Sequence, residues 1–206
     1  MNLQRPLRVV TPTLEGEILR LLAQADKAFT GREIQRMLGV SQEGVRVALR
    51  RLAAQGIVRS ETAGRATMFE LNRRHIAAPY IEGLASLRLE LIERIRQAIG
   101  RWETGPVVAV LFGSVARGDA DETSDIDVFV VRPKDVDEDD PRWREQISSL
   151  EEAATAWTGN DTRTLEFGEK ELPRLRKSEP VIQDVTAEGI VLAGSLATLR
   201  REGATR

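Results

Sequence analysis

The sequence predicts an α+β chain: three capped helices and a hairpin in front, a connecting helix, and a mixed sheet with flanking helices behind. Three observations carry that prediction. In the first 56 residues, Ser or Thr precedes, and Gly follows, runs whose apolar residues recur every three or four positions. Residues 107–112 are continuously apolar and run straight into Gly113-Ser114. A second strand pattern opens on Asp125-Ile126-Asp127.

The totals bound the rest. The 206 residues are 41% hydrophobic, 30% charged and only 4% aromatic, so the cores must be built from Leu, Val, Ile and Ala. There is no cysteine, which excludes disulfides and thiolate metal sites and fits a reducing compartment. No apolar run approaches the roughly 20 residues that cross a bilayer. Residues 1–12 carry Arg5 and Arg8 without a continuous apolar stretch, unlike a secretion signal, so a cytoplasmic protein with no membrane partner is expected. The net charge of −2 hides an asymmetry. Residues 1–75 hold 13 Lys and Arg against 7 Asp and Glu, while residues 101–206 hold 14 against 22. A basic front and an acidic back suggest different partners.

Taken in order, Thr13 or Thr11 caps a first helix through Leu14, Ile18, Leu21 and Leu22. Thr30 caps a second, with Ile34, Met37 and Leu38 inward and Gly39 ending it. Ser41 caps a third, with Val45, Ala48, Leu49 and Leu52 on one face and Gly56 as the stop. Two helices around the short Gly39-Val40 turn suit a helix-turn-helix, whose second helix enters the major groove. Its outward residues are Gln42, Glu43, Arg46 and Arg50, and Gln and Arg side chains can pair with base edges. Two strands around Ala63-Gly64-Arg65 follow, placing Arg59 and Arg65 where phosphates would lie. From Pro79 onward, Leu84, Leu87, Leu91, Ile92, Ile95 and Ile99 recur at helical spacing up to Gly100. A stripe that long wants a partner, either both domains or a second copy of the chain. His75 has no neighbour that would make it a ligand and reads as structural.

Behind the connecting helix, a glycine at a strand end lets backbone approach a ligand, and Ser114 at a helix start suits a phosphate. Asp125 and Asp127, two residues apart on a strand, point to one face and repel each other unless a cation lies between them. A helix over residues 143–157, a strand over 162–167, two short helices and a last strand at 190–192 complete the pattern. Residues 135–140 form an acidic, exposed loop. Arg174, Arg176 and Lys177 cluster as a solvated face or a partner contact, and the chain past Ala197 frays. The expected organisation is 1–75, a connecting helix over 76–103, a second domain over 104–194 and a flexible tail over 195–206.

The segment TGREIQRMLGVSQEGVRVALRRLAAQGIVRSETAGRATMFELN resembles bacterial winged helix-turn-helix regulators. The resemblance implies double-stranded DNA as partner, with Gln42, Arg46, Arg50, Arg59 and Arg65 at the interface, and a homodimer on paired half-sites. A winged helix used for protein contacts is the other reading. The segment GSVARGDADETSDIDVFVV, with ten residues between Gly-Ser and Asp-x-Asp, resembles minimal nucleotidyltransferases of the DNA polymerase β superfamily. That resemblance implies a nucleoside triphosphate held at Gly113 and Ser114, Mg2+ (or Mn2+) held by Asp125 and Asp127, and Arg117 as a phosphate contact or an ordinary surface residue. It also implies transfer of a nucleoside monophosphate to a hydroxyl, a partner protein among the acceptors. The family's third acid falls on Arg163 here, with Asp161 or Glu166 as substitutes. A regulator that binds nucleotide without transferring it is therefore the second expectation, and an inert scaffold the third.

Overall fold

The computed structural model describes residues 1–174 and 179–200. The chain separates into two compact units, one of Arg5–Arg88 and the other of Met1–Gln4 with the chain from Leu89 onward.

The Arg5–Arg88 unit holds α1 (Leu14–Ala23), β1 (Phe29–Thr30), α2 (Gly31–Leu38), α3 (Gln42–Ala54), β2 (Val58–Ala63), β3 (Ala66–Leu71) and α4 (Ala78–Ala85). Each of the first three helices starts where a hydroxyl satisfies a free backbone N–H. Thr13 accepts from Gly16, Ser41 accepts from Gly44, and Thr30 with Glu33 forms a reciprocal capping box. Backbone and side chain of Thr30 together hold the Glu33 carboxyl below its usual range. The α2–α3 turn pivots on Gly39 at φ 66°, a left-handed conformation that suits glycine. Ile18, Leu22, Ile34, Val45, Leu49 and Leu52 close the core. Met37, expected inside, is 55% exposed, because it sits at the margin of the α2 stripe beside Phe29 and Arg36 rather than against α3.

β2 and β3 form a hairpin with Ala63 facing Ala66 across Gly64-Arg65, and β1 adds to the free edge of β3. A two-residue strand has no periodicity of its own, so β1 was not foreseen. The connecting helix expected over 76–103 is two helices. α4 ends at Ser86, whose hydroxyl donates to the Glu82 carbonyl, and α5 (Leu87–Gly100) follows. His75 Nδ1 accepts from the Ala77 N–H at 3.1 Å, a structural role as expected.

In the other unit, four strands lie in the order β6-β5-β4-β7: β4 (Val108–Phe112), β5 (Ile126–Arg132), β6 (Thr162–Gly168) and β7 (Ile190–Gly194). β5 runs antiparallel to β4 and parallel to β6, and β4 runs antiparallel to β7. The parallel pair needs a crossover, supplied by α7 (Pro141–Thr158), which Asp140 caps through the N–H groups of Arg142 and Trp143. One face of the sheet packs on Leu91, Ile92, Ile95 and Ile99 of α5 and on Trp143, Ile147 and Leu150 of α7. The α5 stripe is thus buried inside its own unit, and no second copy is needed to cover it. The other face packs on α8 (Val181–Glu188) and α9 (Ala197–Arg200). Leu199 is buried there, so the tail expected to be flexible from 195 is ordered through Arg200. Leu3, 2% exposed, joins the α5–α7 core, which assigns the first four residues to this unit rather than to a domain spanning 1–75.

Candidate functional site

Three neighbouring strands bring the predicted acidic site together. The register places Asp127 of β5 opposite Phe112 of β4 on one side and Arg163 of β6 on the other. After Phe112 the chain turns through Gly113 at φ 72° into the five-residue helix α6 (Gly113–Arg117). A Cβ on Gly113 would lie 2.6 Å from Asp127 Oδ2. The glycine was expected to let backbone approach a ligand. Its close approach here is to a carboxylate, which seats Asp127 directly against the start of the Gly-Ser turn. Ser114 is half-buried, and its carbonyl accepts from the N–H groups of Gly118 at 2.9 Å and Asp119 at 3.1 Å.

Asp125 lies one residue before β5, held by its neighbours rather than by strand pairing. On one side the Ser124 carbonyl accepts from Asn160 Nδ2 at 2.8 Å. On the other, the Ile126 N–H donates to the Asp161 carbonyl at 2.8 Å. Within the preceding loop, Asp121 Oδ1 accepts from the Thr123 N–H, the Thr123 hydroxyl and the Ser124 hydroxyl at 2.9 to 3.0 Å, which keeps its carboxyl below the usual range. The first residues of the chain lie along this loop: Asn2 Nδ2 donates to Glu122 Oε1 at 3.2 Å, and Gln4 Oε1 sits beside Gly118.

Burial, and after it the neighbouring Asp125, pushes the Asp127 carboxyl above its ordinary value, against the opposing pull of Arg163 and Arg117. Arg163 is the main cation of the site. Its Nη1 lies 3.0 Å from Asp125 Oδ2, and its Nη2 and Nε lie 2.9 and 3.0 Å from Asp161 Oδ2. Arg117 is turned to Asp119 at 3.1 Å and Glu188 at 3.8 Å. Glu166, one of the substitutes considered for a third acid, belongs to the opposite face of β6. It is 11% exposed and accepts from Arg132 Nε at 2.8 Å and Trp143 Nε1 at 2.9 Å, with Arg144 Nη2 2.9 Å away. That removes it from the candidate site. Among the described residues, no three acidic, histidine or cysteine side chains converge as a ready-made metal cluster. Arg176 and Lys177 of the expected basic cluster lie outside the described residues.

Residues 92–179 match the family described as nucleotidyltransferase domain. No curated protein sequence matches the chain. Among solved structures, "Crystal structure of the toxin-antitoxin with AMP-PNP" is 20% identical, with a TM-score of 0.38 over 53% of this chain and 77% of that one. A mutant of the toxin-antitoxin MntA-HpeT is 17% identical, with a TM-score of 0.37 over 53% and 77%.

In the Arg5–Arg88 unit, α3, the start of α2 and the hairpin border a groove of about 710 Å³. Its floor is apolar, with Val45, Leu49 and Phe69, and Arg32, Arg46, Arg50 and Arg65 stand at its rim with Gln42. Arg32 was not singled out from the sequence; its place just after the Thr30 cap was the available signal. Arg46 is ion-paired with Glu43 one turn back. Arg59 alternates onto the other face of the hairpin, 3.7 Å from Glu70, and does not share the groove. Among the described residues, no helix is long and apolar enough to cross a membrane.

Proposed function

We propose that the chain transfers a nucleoside monophosphate from a nucleoside triphosphate to a hydroxyl acceptor, and that its Arg5–Arg88 unit is a winged helix-turn-helix that binds double-stranded DNA. The observation that carries the transfer reading is the seating of the Asp127 carboxylate against Gly113, at the start of the Gly-Ser turn. Mg2+ or Mn2+ fits this donor set, because such ions take one or two carboxylates and complete their shell with water and substrate phosphate. Burial first, and the charge of Asp125 after it, raise the Asp127 carboxyl, and a cation between the two aspartates would favour its ionised form. Bound there, the ion would offset charge on the phosphates.

The chain's own residues supply the rest. The Gly113-Ser114 turn would hold the β- and γ-phosphates, and Asp125 and Asp127 would hold the cation. The acceptor oxygen bonds to the α-phosphorus as the bond to the bridging oxygen breaks and pyrophosphate leaves. By the family resemblance the third acid falls on Arg163, which pairs with Asp127 in the register, so the acceptor's proton would pass to water. Arg117, tied to Asp119 and Glu188, is better suited to bracing the turn than to gripping phosphate.

Incubation of the full chain with radiolabelled ATP, Mg2+ and host extract tests the transfer reading, with labelled product expected on a protein or RNA acceptor. Label should be lost in Asp125→Asn and Asp127→Asn. Unchanged labelling in both variants would refute it. A second reading, nucleotide binding without transfer, is favoured by the Arg163 guanidinium held on Asp125. It predicts binding without label and a nucleotide-dependent change in DNA affinity.

For the DNA reading, Gln42, Arg46, Arg50 and Arg65 are grouped at one groove, where side chains can meet base edges and phosphates. A homodimer on paired half-sites would suit this reading.

A further inference from the structure

The arginine at the acidic site is bound to two carboxylates at once, and unequally. Two of its nitrogens lie on Asp161, and one lies on Asp125. The Asp161 contacts come from a residue two positions away on the same chain segment, so they anchor the guanidinium. The Asp125 contact reaches across to the next strand. Breaking that one contact frees Asp125 and leaves Arg163 tethered.

We propose that Arg163 is a built-in counter-cation, held on Asp125 in place of a divalent ion, so that the ion enters only together with the triphosphate. The inference rests on the nucleotidyl-transfer reading and adds an order of events to it. Arg163 is 66% exposed and Asp125 33%, so their contact is of the weakly stabilising surface kind and yields to a stronger competitor. A lone divalent ion is a poor competitor, because it must displace the guanidinium and then sit near its positive charge. An ion that arrives on a triphosphate brings compensating negative charge, and phosphate oxygens offer the released guanidinium a partner of its own. Arg163 therefore acts as a positioning residue rather than as a defect in the acidic site. Arg117, the other cation whose field reaches Asp127, is occupied by Asp119 and Glu188 and is left in place.

The test is a Mn2+ titration of the full chain, read without nucleotide by the electron paramagnetic resonance signal of free Mn2+, and with a non-hydrolysable ATP analogue, which itself binds Mn2+, by the water-proton relaxation enhancement of protein-bound Mn2+ against an analogue-only control. Without nucleotide, Arg163→Gln should bind Mn2+ about tenfold more tightly than the unaltered chain, a gain on the scale of one unit charge removed near the surface. With the analogue present, the difference should shrink to about twofold or less, because the triphosphate already compensates for the arginine. Equal Mn2+ affinity without nucleotide would overturn the inference while leaving the transfer reading intact. If the gain in Arg163→Gln survives a further Asp125→Asn substitution, the inference is likewise overturned, since the ion would then sit elsewhere. Absence of Mn2+ binding in both chains, even with the analogue, would remove the transfer reading itself and the inference with it.

Discussion

Strand β6 carries an arginine–carboxylate cluster on each face, and the two differ in burial rather than in chemistry. On one face Glu166, with Arg132 and Trp143, is closed in by α7, and both Glu166 and Arg132 are nearly out of water. On the other, Arg163, Asp125 and Asp161 are open to solvent. A buried pair is costly to break, because the surviving charge stays in a poor medium, whereas an exposed pair can exchange partners with little loss. The same residue types thus make a fixed brace on one face and an exchangeable contact on the other. Only the second can be part of a site that takes up a charged ligand.

The sharpest way to break this contrast is Glu166→Ala. It should destabilise the β4–β7 unit by about 3 kcal/mol in a denaturant titration, because the buried Arg132 keeps only the Val136 carbonyl and the more distant Glu138 as partners. A loss below about 1 kcal/mol would place Glu166 in the exchangeable class instead. In the Arg5–Arg88 unit, Arg46 is paired in the open with Glu43, like Arg163 with its partners. Replacing Arg46 or Arg50 by Ala should weaken DNA binding by at least about 1 kcal/mol in a fluorescence anisotropy assay. Unchanged affinity would remove α3 as the reading helix. Arg163→Gln should cost at most about 1 kcal/mol of stability. The smallest effect is one of pH. Asp127 has a folded-state value above its unfolded one, so ionising it opposes folding. Its contribution is neutral at pH below the unfolded value and becomes unfavourable as pH rises through the window between the two values. Asp127→Asn should therefore raise Tm at neutral pH, measured without divalent ions, and the gain should vanish in acid. An equal gain at both pH values would deny that the carboxylate is the source.

The features legible in the sequence are those set by near neighbours along the chain. Thr13, Thr30 and Ser41 are caps because a hydroxyl there meets an N–H three residues on, and the core positions of α3 follow from a period of 3.6. The apolar run of β4 and the Gly-Ser turn after it were likewise visible, whereas the mixed sheet was expected from the family resemblance and the seating of Gly113 against Asp127 was not foreseen. What the sequence left open depends on register and on distant packing. Whether Glu166 or Asp161 could stand in for a third acid turns on which face of β6 meets Asp127, and the pairing of Asp127 with Arg163 decides it. The break at Ser86 was hidden because apolar spacing continues through it. Met37 looked buried because an apolar stripe does not reveal its own margin.

Leu3 has a consequence for anyone who divides the molecule. The β4–β7 unit is assembled from two stretches of chain, so the Arg5–Arg88 unit is an insertion within it rather than a bead strung before it. A single proteolytic nick near residue 88 would leave the pieces still joined through Gln4 and Arg5. A gene truncated to begin at Leu89 would express the catalytic candidate with a leucine-sized hole in its interior.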